Sequence, residues 1–240
     1  MAATPEQLLH LREELGEALQ VLRDEVQKLK AELKEKNAKE EGLQEELKVF
    51  KEREKVKKTE VDVFEQLLHL DKNASILDLC CGQGRHVLEF ARRGYINLHG
   101  MDRSHYLVNR AKTQARKEGL AITMKEGDAR KLPYINNMFD AVTVLGNSFG
   151  YFETQKDDQL VLSEILRILK PKGKLLIDLT DGNHMRTSYE PRSWEWIDKN
   201  YFVCRERSLS ADKERLVSRE VITHVKKGVV ADQFYAERLY

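Results

Sequence analysis

Ser75-Ile-Leu-Asp-Leu-Cys-Cys-Gly-Gln-Gly-Arg-His86 is the stretch that decides the fold of this chain. Its first half is apolar without a helical period, and Gly82 and Gly84 follow at once, which predicts a buried strand turning into a helix. A turn of this kind presents backbone N–H groups to a bound ligand. The stretch therefore predicts a strand, a ligand-binding turn and a helix.

Strands and helices alternate on the C-terminal side of this turn. The predicted strands are 75–81, 96–101, 121–125, 139–145 and 174–179, and the predicted helices begin near Arg85, Ser104 and Lys156. Pro171 and Gly173 are expected to end the last of these helices. Alternation of this kind predicts an α/β fold with a doubly wound, mostly parallel sheet and a ligand at the carboxyl ends of its strands.

The two ends of the chain have a different character. Four aromatic and β-branched runs between 193 and 240 predict an antiparallel β add-on, and Lys226-Lys-Gly228 predicts a hairpin turn within it. Leucines recur every seven residues near the N-terminus, which predicts a coiled-coil helix and a parallel homodimer. The expected units are a coiled-coil helix (1–57), a ligand-binding α/β domain (58–182) and a C-terminal lid or substrate region (183–240).

Composition limits the classes of function. Lys plus Arg is 41 against 40 acidic residues, so no strong nucleic-acid signature is present. Three cysteines, two of them adjacent, do not form a disulfide framework or a spaced metal site, and they favour the reducing cytoplasm. No apolar stretch approaches the roughly 20 residues of a membrane helix. We expect a cytoplasmic protein with no membrane partner and no metal.

The glycine turn fits two common ligand motifs poorly. Val87 occupies the sixth place of a G-x-G-x-x-G dinucleotide fingerprint counted from Gly82, and no Gly-Lys-Ser/Thr triplet of a P-loop follows. Asp78-Leu-Cys-Cys-Gly-Gln-Gly-Arg85 instead resembles motif I of the class I S-adenosylmethionine-dependent methyltransferases. The resemblance continues through Gly100-Met-Asp-Arg-Ser104, Glu126-Gly-Asp-Ala129 and Phe139-Asp-Ala-Val-Thr-Val-Leu145.

The resemblance implies a Rossmann-like methyltransferase fold with S-adenosyl-L-methionine as its cofactor. It implies that Asp102 accepts from the ribose hydroxyls and Asp128 from the adenine amino group, although an N-cap and a turn are the alternatives for these two acids. Cys80 departs from the glycine usual in the family. The implied cofactor-binding residues are Asp78, Cys80, Gly82, Gly84, Arg85, Asp102, Arg103, Asp128, Ala129, Leu145 and Gly146.

The loop Leu145-Gly-Asn-Ser-Phe-Gly-Tyr-Phe152 resembles the corresponding loop of glycine N-methyltransferase. It implies that Asn147 and Tyr151 position the acceptor, with ordinary loop structure as the alternative. His184 and Arg186 are weaker candidates for holding a carboxylate or acting as a base. The aromatic side chains expected either to roof the acceptor pocket or to form the core of the lid are Trp194, Trp196, Tyr201 and Phe202.

We therefore expect an enzyme that transfers methyl from S-adenosylmethionine to an N or O atom of a small molecule. The alternatives are a protein or RNA methyltransferase recruited by its coiled coil, and a non-catalytic S-adenosylmethionine-binding adaptor. Members of the family continue past strand five with a helix and an antiparallel strand pair that complete the sheet. Their absence here predicts either a shortened chain with strand five as an exposed edge or replacement by the strands after residue 200.

Overall fold

The computed structural model describes residues 27–28, 32, 34–35 and 60–240. The chain forms two compact units, 1–54 and 55–240, and nearly all of the described residues belong to the second. The few described residues between 27 and 35 are helical. The heptad positions of the predicted coiled coil, among them Leu8, Leu22 and Phe50, lie outside the described residues, so the coiled coil and its dimer stay predictions.

Helices and strands alternate as the sequence predicts. Residues 60–68 are helical and are called α1. The elements that follow are β1 (Ser75–Leu79), α2 (Arg85–Arg92), β2 (Asn97–Asp102), α3 (His105–Glu118), β3 (Ile122–Glu126), β4 (Phe139–Val144), α4 (Gln155–Ile168), β5 (Leu169–Ile177), α5 (Gly182–Thr187), β6 (Arg192–Trp196), β7 (Tyr201–Leu209), β8 (Arg215–His224) and β9 (Gly228–Arg238).

The first five strands form one sheet in the order β3-β2-β1-β4-β5, and all of its strand pairs are parallel. A core cluster that includes Val61, Phe90 and Val108 from α1, α2 and α3 covers one face. The other face packs against Val161 and Ile165 of α4. Because right-handed crossovers place helices on both faces, this is the doubly wound architecture that the alternation predicts.

Local sequence sets the helix ends around the turn. Ser104 accepts from the Leu107 amide and begins α3, and Thr154 forms a capping box with Asp157 at the start of α4. Gly84 precedes α2 with φ of 80°, and a Cβ there would lie 3.1 Å from the Ala111 side chain. Only glycine satisfies both the left-handed backbone and the close approach of α3.

The predicted start of strand five is wrong. β5 begins at Leu169, before Pro171 and Gly173, and not at Lys174. Its register against β4 shifts, since Phe139 pairs with Leu169 and Ala141 pairs with Lys174. The extra residues form a bulge, and a bulge tolerates proline, which has no N–H to donate to the neighbouring strand.

The last four strands form a separate antiparallel sheet in the order β6-β7-β8-β9. This confirms the predicted antiparallel add-on and its hairpin. In the five-stranded sheet, β5 is an edge strand. Among the described residues, no helix is both long enough and apolar enough to cross a membrane.

Candidate cofactor and acceptor site

A cavity of about 150 Å³ lies at the carboxyl ends of β1 and β2. Its walls combine apolar side chains with two acids. The lining residues are Leu79, Cys80, Met101, Asp102, Arg103, Gly127, Asp128, Ala129, Ser148, Tyr151 and Phe152. An apolar wall with a few fixed polar groups is typical of a site for a small organic ligand.

Asp102 is the last residue of β2, and the backbone holds its carboxylate. Oδ2 accepts from the Gly82 amide at 2.7 Å, and Oδ1 accepts from the Ser104 amide at 2.8 Å. A carboxylate offers about four acceptor positions, so two remain for other donors. The N-cap alternative for Asp102 is not what the structure shows, because Ser104 caps α3.

The turn after β1 contains a cysteine in a glycine conformation. Cys80 has φ of 59°, in the left-handed region, and Gly82 has φ of 56°. Burial raises the pKa of the Cys80 thiol to about 12, and it also raises the pKa of the Cys81 thiol. Both thiols are free and uncharged at neutral pH, which argues against a nucleophilic or metal-binding role.

Asp78 lies beneath this turn and is almost completely buried. Thr143 donates to Oδ1 at 3.2 Å, while Oδ2 makes no well-formed hydrogen bond within the described residues. Burial raises the pKa of Asp78 to about 7. An acid of this kind is suited to a positively charged or hydrogen-bond-donating group placed at the turn.

Asp128 carries a partner that the sequence did not indicate. The Arg130 guanidinium binds its carboxylate at 2.6 Å and also reaches Asp157 at 2.9 Å. Hydrogen bonding to Arg130 lowers the pKa of Asp128. The arginine lies 4.6 Å from the centre of the Phe152 ring, so one ion pair braces both the acid and the aromatic wall of the cavity.

A second group of polar side chains surrounds the start of α2. Arg85 and His86 both contact the carboxylate of Glu60 in α1, at 3.2 and 3.1 Å. Burial and the adjacent Arg85 lower the pKa of His86, which leaves the ring uncharged at neutral pH. The Gly146 amide donates to Asp178 at the end of β5.

Asn147 and Tyr151, the residues predicted to position the methyl acceptor, both bind one carboxylate. Both donate to Oε2 of Glu237 in β9, at 2.5 Å from Asn147 Nδ2 and 2.9 Å from Tyr151 Oη. The amide oxygen of Asn147 accepts from the Thr180 amide. The antiparallel sheet therefore contributes directly to this loop.

Other acceptor candidates lie elsewhere. Arg186 donates to the carbonyls of Lys213 and Leu239, so its guanidinium ties strands together and is not available for a substrate. Trp194 and Trp196 are 67% and 50% exposed and are not among the lining residues of the cavity. The aromatic roof over the acceptor therefore stays a prediction, and Trp196 contacts Phe202 within its own sheet.

The structure divides the predicted site residues into two groups. One group lines the cavity: Cys80, Asp102, Arg103, Asp128, Ala129 and Tyr151. The other predicted residues are not among its lining residues: Asp78, Gly82, Gly84, Arg85, Leu145, Gly146 and Asn147. The sequence analysis missed Glu60, Arg130 and Glu237. Of these three, only Arg130 lies close in sequence to a predicted site residue, Asp128, so only Arg130 had a local signal. Within the described residues, no cluster of metal-ligating side chains is present.

Comparison with known proteins identifies the α/β part of the chain. Residues 76–173 match the family profile described as "Methyltransferase domain". This part of the chain is a class I S-adenosylmethionine-dependent methyltransferase domain. S-adenosylmethionine is its cofactor. The residues of the cavity fit that cofactor, because the Asp102 carboxylate retains free hydrogen-bond acceptor positions and the cavity wall beside it is apolar.

Named relatives and solved structures agree with this family. The domain is 39% identical over 103 residues to a demethylmenaquinone methyltransferase of Lactobacillus johnsonii, which covers 41% of each chain. It is 32% identical over 120 residues to a glycine/sarcosine N-methyltransferase of Parasynechococcus marenigrum, covering 50% of this chain and 42% of that one. The similarity therefore spans less than half of either relative.

A crystal structure of an S-adenosylmethionine-dependent methyltransferase from Clostridium acetobutylicum superposes with a TM-score of 0.64 at 19% identity. It covers 76% of this chain and 73% of that chain. At this identity the likeness supports the fold alone.

Proposed function

We propose that this chain transfers the methyl group of S-adenosylmethionine to an N or O atom of a small molecule. The observation that carries the proposal is the cavity at the carboxyl ends of β1 and β2, with Asp102 and Asp128 on its wall and Tyr151 beside them. S-adenosylmethionine supplies an electrophilic methyl group on a sulfonium. A nucleophilic side chain of the protein is not required.

In this proposal the residues of the chain bind and orient the cofactor and the acceptor. In this proposal Asp102 accepts from the ribose hydroxyls, and charge-assisted hydrogen bonds of this type are about twice as strong as neutral ones. Asp128, braced by Arg130, and the Ala129 amide face the adenine. The turn from Cys80 to Gly84, with Asp78 beneath it, holds the amino-acid end. Tyr151 and Phe152 close the acceptor side and exclude water.

Small-molecule acceptors are favoured because both named relatives carry small-molecule substrates in their names. The test is transfer from S-adenosylmethionine labelled in its methyl group, with a cell extract divided into low-molecular-weight and macromolecular fractions. We expect label in the low-molecular-weight fraction. Label confined to protein or RNA contradicts the small-molecule proposal and favours recruitment of a macromolecule. The predicted homodimer and cytoplasmic location stay separate proposals.

A further inference from the structure

Glu237 is a carboxylate near the site whose hydrogen-bond donors are uncharged. It is only 9% exposed, and its two hydrogen-bond donors, Asn147 and Tyr151, are both neutral. Within residues 60–240, no lysine, arginine or histidine forms an ion pair with it. Two other carboxylates near it in the fold do have one, since Asp158 pairs with Arg238 and Glu220 with Arg205.

This arrangement is unfavourable for the protein alone. A buried charge is costly unless an opposite charge or several strong hydrogen bonds compensate it. Two neutral donors fix the position of the carboxylate but leave its charge unneutralised. The group is therefore suited to a cation that arrives with a ligand.

The position of Glu237 connects it to the cofactor cavity. Tyr151 donates to Glu237 and also lines the cavity that contains Asp102 and Asp128. The Tyr235 ring lies 6.1 Å from the Tyr151 ring, so an aromatic wall flanks the carboxylate. Burial and Glu237 raise the pKa of Tyr151, which keeps the phenol protonated and acting as a donor. Glu237 is the one base among these three side chains.

We infer that the methyl acceptor is an amine, and that Glu237 binds its ammonium group and accepts its proton. The inference rests on the proposed methyl transfer. Transfer of a proton from the ammonium to the Glu237 carboxylate leaves a lone pair on nitrogen. The N–C bond then forms as the C–S bond of the cofactor breaks with its electron pair on sulfur. Glu237 returns its proton to solvent.

The test uses the full chain, methyl-labelled S-adenosylmethionine and the low-molecular-weight fraction of a cell extract as the acceptor probe. We expect the labelled product to bind a strong cation exchanger at neutral pH and to keep its label in base, as a methylated amine does and a methyl ester does not. Glu237→Gln should lower the rate by about 100-fold, as expected for loss of a charged hydrogen-bonding partner, and Glu237→Asp should restore part of it.

Two measurements separate this role from a merely structural one. The affinity of Glu237→Gln for S-adenosylmethionine should match the wild type, and its unfolding free energy should be at least as high, because the substitution removes an unneutralised buried charge. The control Glu220→Gln removes a partly buried carboxylate from the same sheet and should keep the wild-type rate.

A labelled product that is neutral or anionic overturns the inference, as does a Glu237→Gln variant with the wild-type rate. S-adenosylmethionine binding with no labelled product in any fraction contradicts the proposed function itself, and the inference then falls with it.

Discussion

The carboxyl end of β9 is anchored through a buried ion pair, and its removal gives a quantitative test of the structure. Asp158 in α4 is 1% exposed and accepts from Arg238 Nε at 3.0 Å and from Tyr240 Oη at 2.7 Å. The perturbation is Arg238→Ala. It leaves the backbone hydrogen bond from residue 238 to the Gly150 carbonyl in place but strands the Asp158 charge.

The expected loss is large because the remaining charge is buried. Removing one partner of a buried pair costs about 3–5 kcal/mol. The control Arg219→Ala breaks an ion pair with Asp232 whose side chains are 43% and 38% exposed. That change should cost less than about 1 kcal/mol, as exposed ion pairs do. Urea unfolding of the full chain measures both values.

A double variant distinguishes the stranded charge from simple loss of packing. Asp158→Ala combined with Arg238→Ala removes both charges, so its destabilisation should be at least about 1 kcal/mol smaller than the sum of the single variants. Arg238→Ala should also slow methyl transfer, because the adjacent Glu237 loses its position, while affinity for S-adenosylmethionine is kept. A loss below about 1 kcal/mol for Arg238→Ala, or strict additivity, refutes this reasoning.

Two further predictions concern β1 and its turn. Cys80→Gly relieves the strain of a left-handed backbone, about 1 kcal/mol, and should change the unfolding free energy by no more than about that amount. Cys80→Val should lower the unfolding free energy by at least about 2 kcal/mol. Urea titration measures both, and equal stability of the two variants contradicts the strain. The pKa of Asp78, raised to about 7, means that the folded state retains a proton that the unfolded state releases near pH 4. Wild-type stability should therefore fall relative to Asp78→Asn by about 3 kcal/mol between pH 5 and pH 8, and a pH-independent difference contradicts the raised pKa.

The order of elements could be predicted from the sequence because it depends on local pattern. Apolar runs and glycines placed β1, β2 and β4 within a few residues, and Ser104 marked the start of α3. The start of β5 was missed because a bulge opposite Asp140 accommodates Pro171. That compensation depends on a neighbouring strand and leaves no local signal.

Less of the site than of the fold could be predicted from the sequence, because part of it depends on contacts between segments that are distant in sequence. Asp102 and Asp128 follow strands whose ends meet in any parallel sheet, so topology alone brings them together. Glu237 lies 90 residues from Asn147, on a strand of the antiparallel sheet. Its position depends on how β9 docks on the loop after β4, through Arg238 and Tyr240. The alternation of polar and apolar side chains along β9 does not specify that docking.

The most direct test of the account is calorimetric titration of S-adenosylmethionine into the full chain and its Asp102→Ala variant. We expect one site with a Kd in the micromolar range for the wild type, and affinity at least about 100-fold weaker for Asp102→Ala, since two charge-assisted hydrogen bonds are lost. Asp140→Asn is the control, because that carboxylate also accepts from a backbone amide, that of Ser75, but is not among the lining residues of the cavity; it should bind as the wild type does. No binding by the wild type, or unchanged binding by Asp102→Ala, would contradict the account.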